Sequence, residues 1–127
     1  MSRYYTLVVV PSDHPERACE AAVELLYPLM HNPDEPTKAH NFDYMYSPED
    51  IADLTDDITD HMWTVSKILA PEILTGLGVE AIVTPEGTWH EPMLNRPTTV
   101  LDRRIDKARQ VLGEHSGRLA LRHVLHT

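Results

Sequence analysis

The chain has 127 residues, and its 20 acidic and 11 basic side chains give a formal net charge of −9 with neutral histidines. Hydrophobic residues make up 42%, which suffices for one domain over residues 1–127 and excludes a wholly disordered chain. The single cysteine excludes an internal disulfide framework, and no apolar run approaches the ~20 residues of a membrane span. The N-terminus lacks the apolar core of a secretory signal, so we expect a soluble cytoplasmic protein without membrane contact.

The first part of the chain predicts a strand followed by a helix. Tyr4 to Val10 is aromatic and β-branched, and Pro11 ends it, which is typical of a strand. Because Leu7 to Val10 is apolar at every position, we expect this strand to be central and covered on both faces. From Pro15 onward apolar residues recur at helical spacing until Pro28, where the helix should end. Residues 31–46 predict a long loop.

A long acidic helix is predicted from Pro48 to Ala70. Ser47 is a favourable N-cap, and Pro48 suits the first helical position. Apolar residues follow at helical spacing: Ile51, Leu54, Ile58, Met62, Val65, Ile68 and Leu69. Pro71 breaks this helix, and a short further turn runs to about Leu77.

The second half of the chain predicts a hairpin, a helix and a strand. Val79 to Thr84 is rich in β-formers, Pro85-Glu86-Gly87 forms the turn, and residues 88–91 return. A third helix begins near Thr98 or Thr99 and ends at Gly113 or Gly117. Residues 118–126 form the last strand.

The order of these elements is β-α-α-β-β-α-β. Without the long helix it is the order of a ferredoxin-like fold, so we predict an α+β protein with an antiparallel ferredoxin-like sheet and one inserted acidic helix. Right-handed crossovers would place both regular helices on one face of that sheet. The other face would need the inserted helix or a second copy of the chain, and we predict a homodimer.

Charge is distributed unevenly along the sequence. Asp34 to Asp60 holds nine acids and one base, and Arg96 to Thr127 holds seven bases and three acids. Four aspartates share one face of the predicted long helix: Asp50, Asp53, Asp57 and Asp60. This face has three explanations, namely a solvated surface, a docking site for a basic protein surface, or a divalent-ion site. The basic last helix lacks interleaved aromatics, so we expect no nucleic-acid binding.

Histidines are the main candidates for chemistry, since the chain has eight of them. His90 and Glu91 on the hairpin and His123 and His126 on the last strand are weak candidate metal ligands, because neighbouring strand residues point to opposite faces. No nucleophile, phosphate-loop or zinc motif is present, so we expect no catalytic residue and no cofactor. Trp89 is either a core residue or a contact anchor.

Two segments resemble parts of small uncharacterised proteins of actinobacteria and their phages. They are Arg3-Tyr4-Tyr5-Thr6-Leu7-Val8-Val9-Val10-Pro11 and Thr84-Pro85-Glu86-Gly87-Thr88-Trp89-His90-Glu91. With a closing strand that ends in a histidine near the C-terminus, the match covers about a quarter of the chain. The tryptophan- and glycine-rich middle segment of those proteins is absent here. The resemblance implies a phage or mobile-element origin and no particular activity.

The sequence as a whole favours a non-enzymatic accessory protein that binds a basic partner, such as a host protein, through Asp50, Asp53, Asp57, Asp60 and Trp89. The alternative is a metal- or small-molecule-binding protein, or a small enzyme, that uses the histidines of the hairpin and the last strand. The two hypotheses differ in whether the histidines or the aspartates carry the function.

Overall fold

The structure is a computed structural model that describes residues 3–32, 34, 41–42, 44–45, 61–95 and 100–126. Within them the strands are β1 (Arg3–Val10), β2 (Tyr44–Met45), β3 (Met62–Thr64), β4 (Val79–Val83), β5 (Trp89–His90) and β6 (Leu119–His126). The α-helices are α1 (Pro15–Leu26), α2 (Pro71–Leu77) and α3 (Leu101–Gly113). Short 3₁₀ helices span Tyr27–Leu29 and Val65–Lys67.

The six strands of the described residues join one mixed sheet, in which five follow the order β2-β6-β1-β4-β5 and β3 pairs with β6. β1 and β6 pair antiparallel along their full lengths, from Arg3 opposite His126 to Val10 opposite Leu119. The other edge of β6 pairs with β3 at its start and with β2 at its end. β4 runs parallel to β1 and forms an antiparallel hairpin with β5. The α+β class is therefore confirmed.

The predicted antiparallel ferredoxin-like sheet is corrected by the pairing of β1 with β4. These neighbours are parallel, and the first strand of the hairpin, not the second, lies beside β1. The physical reason lies in the segment before the hairpin. β3 pairs with the edge of β6 that faces away from β1, and it runs in the same direction as β1. After β3 the chain crosses back through α2. β4 therefore also runs in the direction of β1.

Both faces of the sheet are covered by helices, as the doubly apolar β1 predicts. On the face covered by α1, Val8 and Val10 pack with Ala18, Ala22 and Leu26. The opposite face holds Leu7 and Val9 together with residues of α2 and α3, namely Leu74, Leu77, Ile105, Ala108 and Leu112. We call these the α1 face and the α3 face. The molecule thus has three layers, helix, sheet and helix.

The expectation that both regular helices share one face is wrong, and crossover direction explains why. After β1 the chain passes through α1 to β2, and β2 lies on the same side of β1 as β6. From β3 it returns across the sheet through α2, and from β5 it recrosses through α3 to β6, which runs parallel to β5. Right-handed crossovers then require α1 on one face and α2 and α3 on the other.

The predicted helix from Pro48 to Ala70 is also corrected in its second part. Met62–Thr64 is strand β3, and Val65–Lys67 is a 3₁₀ turn. Trp63, Thr64 and Val65 are β-formers, and the exposed edge of β6 supplies hydrogen-bond partners that a helix cannot use. Residues 46–60, including the four aspartates of the predicted acidic face, lie outside the described residues.

The ends of the short helix α2 follow from two residues. Pro71 occupies the first turn, where a missing N–H is tolerated. Gly78 follows the last turn with φ 61°, the left-handed conformation that ends helices and favours glycine. The helix between them buries Leu74 and Leu77. None of the helices in the described residues is long and apolar enough to cross a membrane.

Candidate ligand-binding groove

The carboxyl ends of the parallel strands β1 and β4 meet at one end of the molecule. After β1 the chain continues toward β2 at one edge of the sheet. After β4 it continues through the hairpin turn to β5 at the other edge. The space outside the carboxyl ends of two such strands is where open α/β sheets bind ligands. Three segments surround it here, namely residues 11–14, residues 84–88 and residues 114–118.

A polar groove runs from this point along the space between the β4–β5 hairpin and α3. It consists of two adjoining pockets, of about 230 Å³ and 410 Å³, which share His90 and Val111. Their hydrogen-bonding and charged residues are Thr84, Glu86, Thr88, Trp89, His90, Glu91, Lys107, Gln110, Glu114 and His115. We call this the hairpin–helix groove. A further pocket of about 300 Å³ continues past Glu114 and His115 to Asp13 and Arg118.

The hairpin holds its side of the groove through a tight turn. Gly87 has φ 84°, and its N–H donates to the carbonyl of Thr84 at 2.9 Å. The N–H of Thr88 donates to the side-chain oxygen of buried Thr84 at 3.3 Å. His90 lies opposite Ile82, whose side chain belongs to the α3 face, so His90 is directed toward α3. The turn therefore places Thr84, Thr88 and His90 along one wall.

Glu86 and His115 face each other across the mouth of the groove. Glu86 Oε2 lies 3.9 Å from His115 Nε2, and the side chain of His115 is only 15% exposed. The pKa of the Glu86 carboxyl is lowered, first by a hydrogen bond with the Thr84 side chain, then by its own backbone N–H and by electrostatic attraction to His115 and Arg118. Glu86 is therefore an anion at neutral pH.

Arg118 ties the groove to the end of β1. Its Nη1–H donates to the carbonyl of Pro11 at 2.7 Å, across 107 positions of sequence. The backbone nearby is joined as well, because the N–H of Ser66 donates to the carbonyl of Ser116 at 2.9 Å. The loop that carries His115 is thus fixed to two other segments at this end of the sheet.

The predicted site residues on β5 and β6 do not come together. β1 and β4 separate β5 from β6, so three strand spacings, or about 14 Å, separate His90 from the level of His123, and His126 lies further away along β6. His123 belongs to the α1 face with its neighbours Leu121 and Leu125, and His126 points to the opposite face. In the described part of the chain, no group of three or more His, Cys, Asp or Glu side chains is placed to hold a metal ion.

Trp89 lies on the α1 face, opposite to its neighbour His90. Its ring stacks on Phe42 with centroids 6.2 Å apart and an interplanar angle of 19°, and it packs against the α1-face core. Its Nε1–H donates to Glu91 Oε1 at 2.8 Å. The structure thus gives Trp89 a packing role while leaving the side chain half-buried.

Several groove residues were missed by sequence reasoning, above all His115, Lys107, Gln110 and Glu114. They lie on and just after α3, and a predicted antiparallel sheet gave no reason to look there. These residues could have been found from three segments that meet at one end of the sheet. Two are the polar loops after β1 and β4, residues 11–14 and 84–88, and the third is the carboxyl end of α3. This arrangement becomes visible only once β1 and β4 are known to be parallel neighbours.

A second polar cluster surrounds Arg122 on the α3 face. The Arg122 guanidinium lies 4.3 Å from the ring centroid of Tyr5 and 5.6 Å from that of Trp63. Its Nε–H donates to His61 Nδ1 at 3.3 Å, and its Nη1–H donates to the carbonyl of Leu77 at 3.0 Å. Because Arg122 links β1, β3, β6 and the end of α2, we assign it a structural role.

Comparison with protein-family models, curated proteins and solved structures finds no match to this chain. The relationship to actinobacterial and phage proteins therefore stays a proposal. The geometry of the groove and the distribution of charged residues are the observations that bear on function.

Proposed function

We propose that this protein binds a small polar molecule in the hairpin–helix groove. The observation that carries the proposal is the position of this groove, which runs between α3 and the hairpin past the carboxyl end of β4. The adjoining pocket at Asp13 and Arg118 extends it to the carboxyl end of β1, and β1 and β4 are the only parallel pair among the described strands. Two adjoining pockets of about 230 Å³ and 410 Å³ approach the size of sites that hold small ligands. Their lining of hydroxyl, imidazole, amide and carboxylate groups suits a ligand rich in hydrogen-bonding groups.

Binding is favoured over catalysis by the geometry of the same residues. The 3.9 Å between Glu86 Oε2 and His115 Nε2 exceeds the length of a hydrogen bond, so Glu86 does not orient the imidazole as a catalytic carboxylate would. The side chains of the described part of the groove include no serine or cysteine nucleophile. We therefore propose binding without catalysis, the role that the sequence analysis also favours.

The proposal is tested by closing the groove with a bulky side chain. Gln110 lines the groove and is exposed, so Gln110→Trp should fill it without disturbing the core. Arg109, its neighbour on α3, is exposed and does not line the groove, which makes Arg109→Trp a matched control. A thermal-shift screen of small polar molecules, followed by calorimetry, should find ligands that bind the wild type and Arg109→Trp but not Gln110→Trp. Equal binding by both variants would contradict the proposal.

A second function, docking on a basic protein, is favoured by the charge of residues 34–60. Nine acids and one base give this segment a net charge of −8. Replacing Asp53 and Asp57 with Asn should slow association with a basic partner. On the sequence-based expectation of a solvated helix face, it should leave stability nearly unchanged, because like charges on such a face contribute little to folding. Affinity that stays constant from ~0.05 to ~0.5 M salt would contradict it, since the Debye length shrinks several-fold over that range.

We also propose that the protein is a homodimer, that it is cytoplasmic and that it has a phage or mobile-element origin. The homodimer is tested by light scattering, in which a particle of 14.5 kDa at high protein concentration would contradict it.

A further inference from the structure

We infer that the ligand of the hairpin–helix groove is a small organic cation that carries a primary amine. This inference rests on the proposed function, because the groove supplies the site and its charges select the class of ligand.

The walls of the groove carry an excess of negative charge. Glu86, Glu91 and Glu114 line it, and with histidines counted as neutral they face the single positive charge of Lys107. The pocket beyond Glu114 adds one charge of each sign, Asp13 and Arg118, and so leaves the excess unchanged. The lowered pKa of Glu86 keeps that carboxylate ionised well below neutral pH. A cationic ligand is therefore attracted and an anionic one repelled.

The carboxyl end of α3 adds to this preference. α3 has 13 residues and ends at Gly113, beside Glu114 and His115 at the mouth of the groove. The last turn of a helix carries a partial negative charge that favours cations, and the last turn of α3 contains no basic residue to neutralise it. The site thus combines ionised carboxylates with the negative end of a helix dipole.

The lining favours an ammonium group over a bare metal ion. In the described part of the chain, no three carboxylate, imidazole or thiolate side chains are arranged around a common point. Oxygen and nitrogen acceptors instead lie along the two walls, on Thr88 and His90 of the hairpin and on Gln110 of α3 and Glu114 just after it. An ammonium group donates three separate hydrogen bonds and suits acceptors spaced in this way.

The test compares three probes of similar size: 1,4-diaminobutane, succinate and 1,4-butanediol. Each is titrated into the ¹⁵N-labelled chain at low salt, and binding is followed by amide chemical shifts and by calorimetry. We expect the diamine alone to shift the amides of residues 84–90 and 110–115. Glu86→Gln and Glu114→Gln should each weaken diamine binding about threefold, and the double variant about tenfold. Glu24→Gln, on exposed α1, is the matched control and should leave the affinity unchanged.

Each other outcome has a definite meaning. If succinate or butanediol shifts the groove amides and the diamine does not, the inference is wrong while the proposed binding function stands. If the diamine binds equally to wild type and the double variant, its attraction is non-specific and the inference is overturned. If no probe shifts these amides and Gln110→Trp leaves every ligand from the screen unaffected, the proposed function fails with it. Circular dichroism of each variant excludes unfolding as the cause.

Discussion

Thr6 on β1 lies directly opposite His123 on β6, on the face of the sheet that α1 covers. Both side chains are buried, at 0% and 2% exposure, between the apolar residues of neighbouring positions. Among the described residues, Thr6 Oγ1 and His123 Nδ1 have no hydrogen-bond partner. A polar pair of this kind in an apolar layer lowers stability, and two predictions follow from its chemistry.

The first prediction concerns pH. Desolvation, with a smaller contribution from the charge of His61, lowers the pKa of His123 from 6.5 to about 4 in the folded protein. Between these values the unfolded chain binds a proton that the folded chain does not, so the free energy of unfolding should fall as the pH falls. This one histidine should contribute a loss of roughly 3 kcal/mol from pH 7 to pH 4. Urea unfolding at several pH values measures it.

His123→Leu isolates this contribution from those of the other histidines. The variant cannot titrate at this position and matches its neighbours Leu121 and Leu125, so its stability should depend less steeply on pH. Parallel curves for the wild type and the variant between pH 7 and pH 4 would show that the folded His123 takes up a proton as readily as the unfolded one.

The second prediction concerns Thr6. Thr6→Val replaces a buried hydroxyl without a partner by a methyl group of similar size, and valine suits a central strand. We expect the free energy of unfolding to stay the same or to rise by up to about 1 kcal/mol. Loss of more than that would indicate that the hydroxyl is hydrogen-bonded in the folded protein. Thr88→Val, at an exposed position, is the control.

The third prediction concerns Arg122. Lysine keeps the charge but loses the planar group that stacks between Tyr5 and Trp63 and donates to His61 and Leu77. Arg122→Lys should therefore lower the free energy of unfolding by about 1 to 2 kcal/mol. Arg109→Lys, on the exposed side of α3, should change it by less than about 0.5 kcal/mol. Equal effects of the two variants would show that the stacked geometry contributes nothing.

The fourth prediction concerns the end of α2. Gly78 has φ 61°, where an L side chain is strained, although no atom lies within 4 Å of the position a Cβ would take. Gly78→Ala should therefore cost about 1 kcal/mol through the backbone alone. Gly113→Ala also enters open space, but at a position whose φ is not positive, and should be neutral or slightly stabilising. Thermal melting of the two variants tests this contrast.

Local sequence patterns predicted most of the individual elements. The β-branched run at Tyr4–Val10, the prolines at 15 and 71, and the hairpin turn at Pro85-Glu86-Gly87 each specify a structure over a few neighbouring residues, and the structure confirms them. The same holds for α3, because Ile105, Ala108 and Leu112 repeat at helical spacing on one buried side. The covering of β1 on both faces also followed from its composition alone.

Only the tertiary structure decided how these elements are arranged and where a ligand could bind. Met62–Thr64 fits a helix by its apolar spacing, yet it becomes a strand because the edge of β6 offers backbone hydrogen bonds that no local pattern reveals. That added edge strand sets the direction of β4, makes it parallel to β1, and brings residues 84–90 against residues 107–115. The groove is a product of strand order, which depends on contacts between residues far apart in the chain and so cannot be read from short-range periodicity.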